Sequence, residues 1–463
     1  MSARSSSCSS EFRVIASGRK SAAPAAADRV AELRAGLSRY LPRAGVPLMT
    51  DHAALRWVPR MLVLGAILFA WDASGAVADR FAAARDALVA MFPSRRRPGG
   101  DPQGFLRTLC RRSTALLGVV SARLRRCVRR AAGRRHWLAG GRWAAFGVDG
   151  SRVECPRTAA NEAALGCAGR AKTGPQLFVT TVFHVGTGLI WDFRRGTGKA
   201  SERHHLLEML GTLPPDALLL ADAGFTGYEL MAAITGGGRH FLIRVGANVT
   251  LLRKLGWCCD EREGLVYLWP DKAQKTRQPP LVLRLIVLKD GRNRVMHLLS
   301  DVLDDGQMSD REAAQLYALR WGAEVLYRSL KQTMGRRRMV CGNPQHAAAE
   351  LDWAVVGLWV LGLMAADAVA AAGHAPGHLS VARALRPVRR AIRSAAPRGS
   401  RGPTLAQALA SAVRDNYRRT RPKAARTPVN KKRERPPGEP LARMATGAEM
   451  AQAQMLKELT PAA

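Results

Sequence analysis

Acidic residues are scarce in this chain: 463 residues carry 36 Asp+Glu against 72 Lys+Arg, a formal charge of +36 with a pI near 11.3. That imbalance disfavours cationic partners and favours polyanions held through phosphate neutralisation, with an anionic membrane surface as the competing partner. Cysteine is sparse and unpatterned. Eight Cys with no CxxC spacing exclude a disulfide framework and a zinc site, and the vicinal Cys258-Cys259 has no spaced partner set. Long apolar runs are missing too. Met61 to Trp71 and Trp353 to Ala366 end at Asp72 and Asp367, short of the roughly 18 to 20 residues a membrane span requires. A soluble, cytoplasmic protein with reduced thiols and no membrane partner is expected. No Walker-type phosphate loop occurs, and the glycines between Gly186 and Gly198 lack the strand-to-helix placement of a dinucleotide fingerprint, so ATP is not implied. Residues 1–24 carry Ser5-Ser6-Ser7 and scattered Arg without an apolar secretory core, and are read as a disordered terminus.

What is present is a globular composition, 47% hydrophobic and 23% charged, ample for a buried core and for two or three domains. Arg is distributed unevenly: Arg95 to Arg142 holds fourteen Arg and one acid, Asp101. Within it Leu116, Leu117, Val120, Leu124 and Val128 recur at helical steps while Arg123, Arg126 and Arg130 occupy another face. Residues 25–141 therefore read as a helical basic domain with those three arginines as candidate DNA contacts, the bland alternative being a solvated Arg face on an ordinary bundle. From Arg142 the pattern changes to short β-branched and aromatic runs, 143–148, 177–185, 189–193, 217–221 and 240–245, alternating with helical stretches at 202–210 and 228–234. That order is an α/β core, spanning 142–372. Residues 246–295 insert further strand-like runs before the core resumes at 296–299, and helical periodicity returns over 308–334 and 346–372. Residues 373–463 turn Pro/Arg-rich, with the basic runs 418–423 and 431–433, and read as a basic, largely disordered tail.

Three acids stand out by context. Asp149 follows Phe146-Gly147-Val148 and precedes Gly150-Ser151; Asp222 follows Leu218-Leu219-Leu220-Ala221 and precedes Ala223-Gly224-Phe225. Both carboxylates emerge at predicted strand ends, the edge of an α/β sheet where ligands bind, and the small residues after each leave room for a bulky ligand. Either one alone reads equally as an Asp capping the next turn. The third acid sharpens the case. Tyr317, Arg320, Glu324 and Lys331 stand at offsets of 0, 3, 7 and 14, which at about 100° per helical residue fall within one arc of about 60° beside the apolar face. Taken alone, Arg320 and Glu324 are also an ordinary i,i+4 pair. Three carboxylates from two strand ends and one helix can hold two hard cations about 3.5 to 4 Å apart for phosphoryl transfer, and Mg²⁺ suits such an oxygen set, with Mn²⁺ able to substitute. His204-His205 reads as a surface or capping pair and Asp192 as a hydrogen-bonded strand residue.

The spacing Tyr-x2-Arg-x3-Glu-x6-Lys, preceded by aspartates in VDGS and ADAGF, resembles the DDE transposases of bacterial insertion sequences, the group with the YREK signature (the IS-four family). The likeness covers roughly 142–372, and the 101 residues between Asp222 and Glu324 match the family's insertion. It implies a ribonuclease-H-like catalytic core with a β-strand insertion, preceded by the helical basic region. It also implies Asp149, Asp222 and Glu324 as metal ligands, Tyr317, Arg320 and Lys331 as contacts to DNA phosphates near the cleaved end, and a homodimer on double-stranded DNA comprising the terminal inverted repeats and the target. Many relatives carry Arg or another polar residue where this chain has Ala223, and no contact is assigned there. The rivals are a structure-specific nuclease of the same fold and a non-catalytic, transposase-derived DNA-binding protein. A transposase would work in the bacterial cytoplasm, on the nucleoid when bound to DNA.

Overall fold

The computed structural model describes residues 26–42, 56–93, 95–166, 174–289, 295–393, 403–415 and 438–459. The chain opens with four helices, α1 (Ala26–Tyr40), α2 (Pro59–Trp71), α3 (Val77–Met91) and α4 (Pro102–Trp137). Asp101 starts α4 by accepting from the Gln103 and Gly104 amides, with Pro102 at the first helical position. The stripe Leu116, Val120, Leu124 and Val128 is buried as its spacing predicts, and Gly133, at φ 54°, interrupts the helix one turn before its end.

Next come β1 (Ala144–Glu154), α5 (Ala159–Leu165), β2 (Gln176–His184), β3 (Leu189–Thr197), α6 (Glu202–Met209), β4 (Ala217–Ala221), α7 (Tyr228–Gly236) and β5 (His240–Val245). β1, β2 and β3 form an antiparallel meander, while β4 and β5 lie parallel to β1. The order β3-β2-β1-β4-β5 is the ribonuclease-H-like arrangement that the resemblance implies. β6 (Thr250–Arg253), β7 (Leu265–Leu268), α8 (Asp271–Lys275), β8 (Leu281–Lys289) and β9 (Val295–Ser300) follow. Their strands do not make a separate subdomain. β9 pairs with β5 and β8 with β9, so the insertion extends the core sheet at its β5 edge into one ten-stranded sheet.

The C-terminal half supplies α9 (Asp310–Ala318), α10 (Gly322–Arg328), α11 (Pro344–Ala371), α12 (Val381–Arg393), α13 (Leu405–Ala410), β10 (Leu441–Met444) and α14 (Gly447–Leu459). α11 is long and apolar enough to cross a membrane by composition, yet 78% of its apolar window is buried inside the protein. It packs against α2, α4 and β3 within one continuous core. Trp71 Nε1 donates to Gly357 O at 2.9 Å, and Trp353 Nε1 reaches Ser113 Oγ at 2.9 Å.

Two sequence expectations are corrected here. The helices of 25–141 are not a detached module: they cover the same core as α11, because their apolar faces have no other surface to bury against. Nor are the described residues of 373–463 without structure. β10 adds a parallel strand to β6, and α14 buries Ala453 and Leu456 with Tyr267 and Trp269. Low average hydrophobicity hid these short apolar patches, which need a partner surface to fold. Residues 1–24 and the basic runs 418–423 and 431–433 lie outside the described residues.

Candidate active site

The parallel pairing of β1 and β4 sets Gly147 against Leu220. Carried two residues further, the same register puts Asp149 level with Asp222. Asp149 does not end its strand, as the sequence suggested: β1 runs on to Glu154 along β2, with Asp149 opposite Thr181. The strand end belongs to β4, so Asp149 stands where β1 outruns its parallel neighbour. Asp222 caps the 3-10 turn Ala223–Phe225 by accepting from the Gly224 amide at 2.9 Å, and Asp149 Oδ1 accepts from the Gly150 amide at 2.8 Å. The capping role foreseen for a lone Asp is therefore real for Asp222, and it uses only one carboxylate oxygen.

The helix carrying the third acid is irregular. Between α9 and α10 the backbone tightens into a 3-10 turn, Leu319–Trp321, and after α10 it widens into a π turn, Ser329–Thr333. The uniform angular stripe drawn from sequence is thus not literal, and such π turns frequently mark functional sites. The helix is nonetheless held over the aspartates. Added Cβ atoms on Gly147 and Gly322 would lie 2.3 and 2.7 Å from the Phe183 ring, so only glycines let β1 and α10 close on that ring from both sides. The buried Tyr327 hydroxyl stands 2.8 Å from Asp149 O and 3.0 Å from Val179 O, and accepts from the Thr181 amide and hydroxyl at 3.2 and 3.0 Å. Tyr327 ties α10 to β1 and β2 at the edge that carries Asp149. The sequence reading missed it because it lies between the marked positions Glu324 and Lys331.

The structure brings all six marked residues of this region together. Burial, then the Asp222 charge, pushes the Asp149 carboxyl up to about 6; Arg320 opposes this and Glu324 adds to it. Lys331 is lowered by burial and Arg337, with Glu154 and Asp149 opposing. Tyr317 is raised by burial and lies within the fields of Arg320, Arg244 and Asp222. The Arg320 guanidinium sits 5.6 Å from the Tyr317 ring centroid. Among the described residues, Tyr317 Oη and Arg320 Nε are buried without a partner of good hydrogen-bond geometry, although the Arg320 side chain is close enough to Tyr317 to favour its ionised form. Glu324 is exposed on α10. Arg244, on β5, is a further cation at this corner that carried no sequence signal.

Of the three arginines assigned to DNA on α4, Arg126 and Arg130 are exposed, whereas Arg123 is half-buried and donates to Arg39 O at 3.2 Å. Asp192 is structural as expected, buried between Arg125 and Arg194 at 3.1 Å each. His204 is exposed and pairs with Glu208, while His205 is buried against Thr180 Oγ1.

The donor set suits a hard cation: oxygen ligands at a half-buried edge, whose mutual repulsion a divalent ion would relieve. As they stand, no three His, Cys, Asp or Glu side chains among the described residues close tightly enough to hold an ion. Asp149 on β1 and Asp222 just past β4 thus stand level, with Glu324 on a helix pinned over the same edge. Residues 145–359 match the family described as "Transposase DDE domain". It is 28% identical over 220 residues to "Transposase InsG for insertion sequence element IS4" of Escherichia coli (strain K12), a match covering 45% of this chain and 49% of that protein. The chain thus spans about half the length of this curated relative. Among solved structures, the cryo-EM structure of the piggyBac transposase synaptic complex with hairpin DNA is similar at a TM-score of 0.39 and 13% identity, over 88% of this chain and 86% of that one.

Proposed function

We propose that this protein is a transposase that cuts DNA at the ends of a mobile element and joins the freed 3′-hydroxyls to target DNA. The observation that carries this reading is the register-matched pair Asp149 and Asp222 beneath a helix that brings Glu324, Arg320 and Lys331 to the same edge. Asp149, Asp222 and Glu324 would hold two Mg²⁺ ions, or Mn²⁺ in their place; when bound, such ions activate the attacking oxygen and stabilise the departing one.

The remaining work falls to the chain. Arg320 presents a guanidinium fork to a phosphate and Lys331 a point charge, which grips the scissile strand from two sides. Arg320 and Glu324 form no ion pair among the described residues, so neither is spent on merely stabilising the helix. The buried Tyr317 hydroxyl adds a donor at the same corner. Tyr327 fixes the distance between α10 and β1, and a misplacement of about 1 Å at reacting atoms costs rate steeply. Exposed Arg126 and Arg130 extend phosphate contacts along α4, and two copies of the chain would hold the two ends together.

End DNA in single-turnover reactions with Mg²⁺ tests the reading. Asp149→Asn, Asp222→Asn and Glu324→Gln are each expected to slow cleavage by about 10³-fold or more, since metal-directed charge stabilisation supplies several kcal/mol, while end binding persists. Joined products from pre-cleaved ends are expected with the unaltered protein. Cleavage without joining would mark a structure-specific nuclease, and wild-type rates in any variant would remove that residue from the site.

A further inference from the structure

The room left by the glycines after Asp149 and Asp222 is filled by a side chain of this protein. A Cβ on Gly150 would lie 2.8 Å from Glu202 Oε2, and a Cβ on Gly224 would lie 2.3 Å from Glu202 Oε1 and 3.1 Å from Asp222 Oδ1. Glu202, the first residue of α6, therefore lays its carboxylate against Gly150 of β1 and Gly224 of the turn after β4, beside both aspartates. Its aim is fixed from several sides. Ser201 caps α6, His205 Nδ1 meets Thr180 Oγ1 on β2 at 2.9 Å, and Arg203 donates to Thr226 O at 3.0 Å just beyond the Asp222 turn.

A glutamate at a helix start is ordinary, because it complements the helix dipole. Such a residue points its carboxylate to solvent or to a free amide. Glu202 instead crowds two other carboxylates, and burial, then Asp222 and Asp149, pushes it up to about 7. The arginines beside it are turned to other partners: Arg152 lies 4.8 Å from the Phe178 ring centroid and donates to Gly198 O, while Arg203 is held by Thr226 O. In a chain with 72 Lys+Arg, the Glu202 carboxylate has no ion pair or hydrogen bond among the described residues.

We infer that Glu202 is a fourth carboxylate of the catalytic centre, directed at the divalent cation or its bound water from the Asp149–Asp222 side. This rests on the reading of Asp149 and Asp222 as metal-holding residues. Its test is Mn²⁺ binding by the full-length protein, read by electron paramagnetic resonance, alongside metal-free thermal melts. Glu202→Gln keeps the shape and removes the charge; it is expected to weaken Mn²⁺ binding by at least about 10-fold with an unchanged or raised melting temperature, and Glu202→Asp to give an intermediate loss. Wild-type Mn²⁺ affinity in Glu202→Gln would overturn the role, as would a lowered melting temperature with unchanged affinity, which is the signature of a helix-start residue. If Asp149→Asn and Asp222→Asn lose Mn²⁺ binding while Glu202→Gln keeps it, only the Glu202 inference falls. If none of the three variants changes it, the reading of the whole centre falls with it.

Discussion

Two sets of half-buried or buried acids in this protein are treated in opposite ways. On the face where the N-terminal helices meet the sheet, three buried acids are paired with arginines: Arg80 with Glu350 at 2.7 Å, Arg195 with Asp352 at 2.8 Å, and Arg125 and Arg194 with Asp192 at 3.1 Å. The Arg80–Glu350 pair is nearly sealed, at 3% and 1% side-chain exposure, and Glu350 also accepts the Val340 and Cys341 amides. At the edge where β1 outruns β4, Asp149, Asp222 and Glu202 crowd together, and none has an ion pair among the described residues. An arginine excess that large could have neutralised both sets. The chain closes the charges that hold it together and leaves open those that the proposed function assigns to a cation.

The paired side should break most severely. Removing one member of a buried ion pair strands the other, at about 3 to 5 kcal/mol. Arg80→Ala is therefore expected to lower unfolding free energy by that amount in denaturant titrations, whereas Asp149→Asn, which relieves repulsion, should leave stability equal or higher. Equal losses in the two variants would erase the distinction.

A buried group with no counter-charge sharpens the contrast from the other direction. His184 is fully buried, stacked 4.8 Å from the Trp137 ring centroid, with its ring nitrogens 3.0 Å from Trp137 O and Thr187 Oγ1. Burial pushes its pKa down to about 4, from an ordinary imidazole value near 6.5. The unfolded chain thus binds the proton more readily, so this group favours folding fully above pH 6.5 and that contribution is lost as pH falls toward 4. The expected loss is about 3 kcal/mol over that window, and His184→Gln should flatten this part of the stability–pH curve. An unchanged curve would show that the imidazole is not held neutral.

The smallest effect concerns exposed arginines. Duplex binding should weaken with salt at about 0.9 in log–log slope per neutralised phosphate. Arg126→Ala and Arg130→Ala are expected to lower that slope, and Arg123→Ala much less, because Arg123 is engaged with Arg39 O. Equal slopes for all three variants would return α4 to a solvated face.

Much of the centre was legible in one dimension, because its signals are local. An aspartate followed by glycine after an apolar run marks a sheet edge, and Tyr317, Arg320, Glu324 and Lys331 share one helical segment, so their spacing survives the 3-10 and π irregularities well enough to keep them together. The succession of strands and helices in the core and the burial of the α4 stripe likewise follow from periodicity. What tertiary structure alone decided is which charges are spent and which are free. Arg80 meets an acid 270 residues away, Tyr327 closes on a strand 178 residues upstream, and Glu202 enters the centre only because Gly150 and Gly224 come to face it across two strands. Composition counts arginines and acids; it cannot pair them. Pairing is set by the packing of apolar faces that brings distant segments together, and that packing separates the carboxylates matched with arginines from the ones crowded together without an ion pair among the described residues.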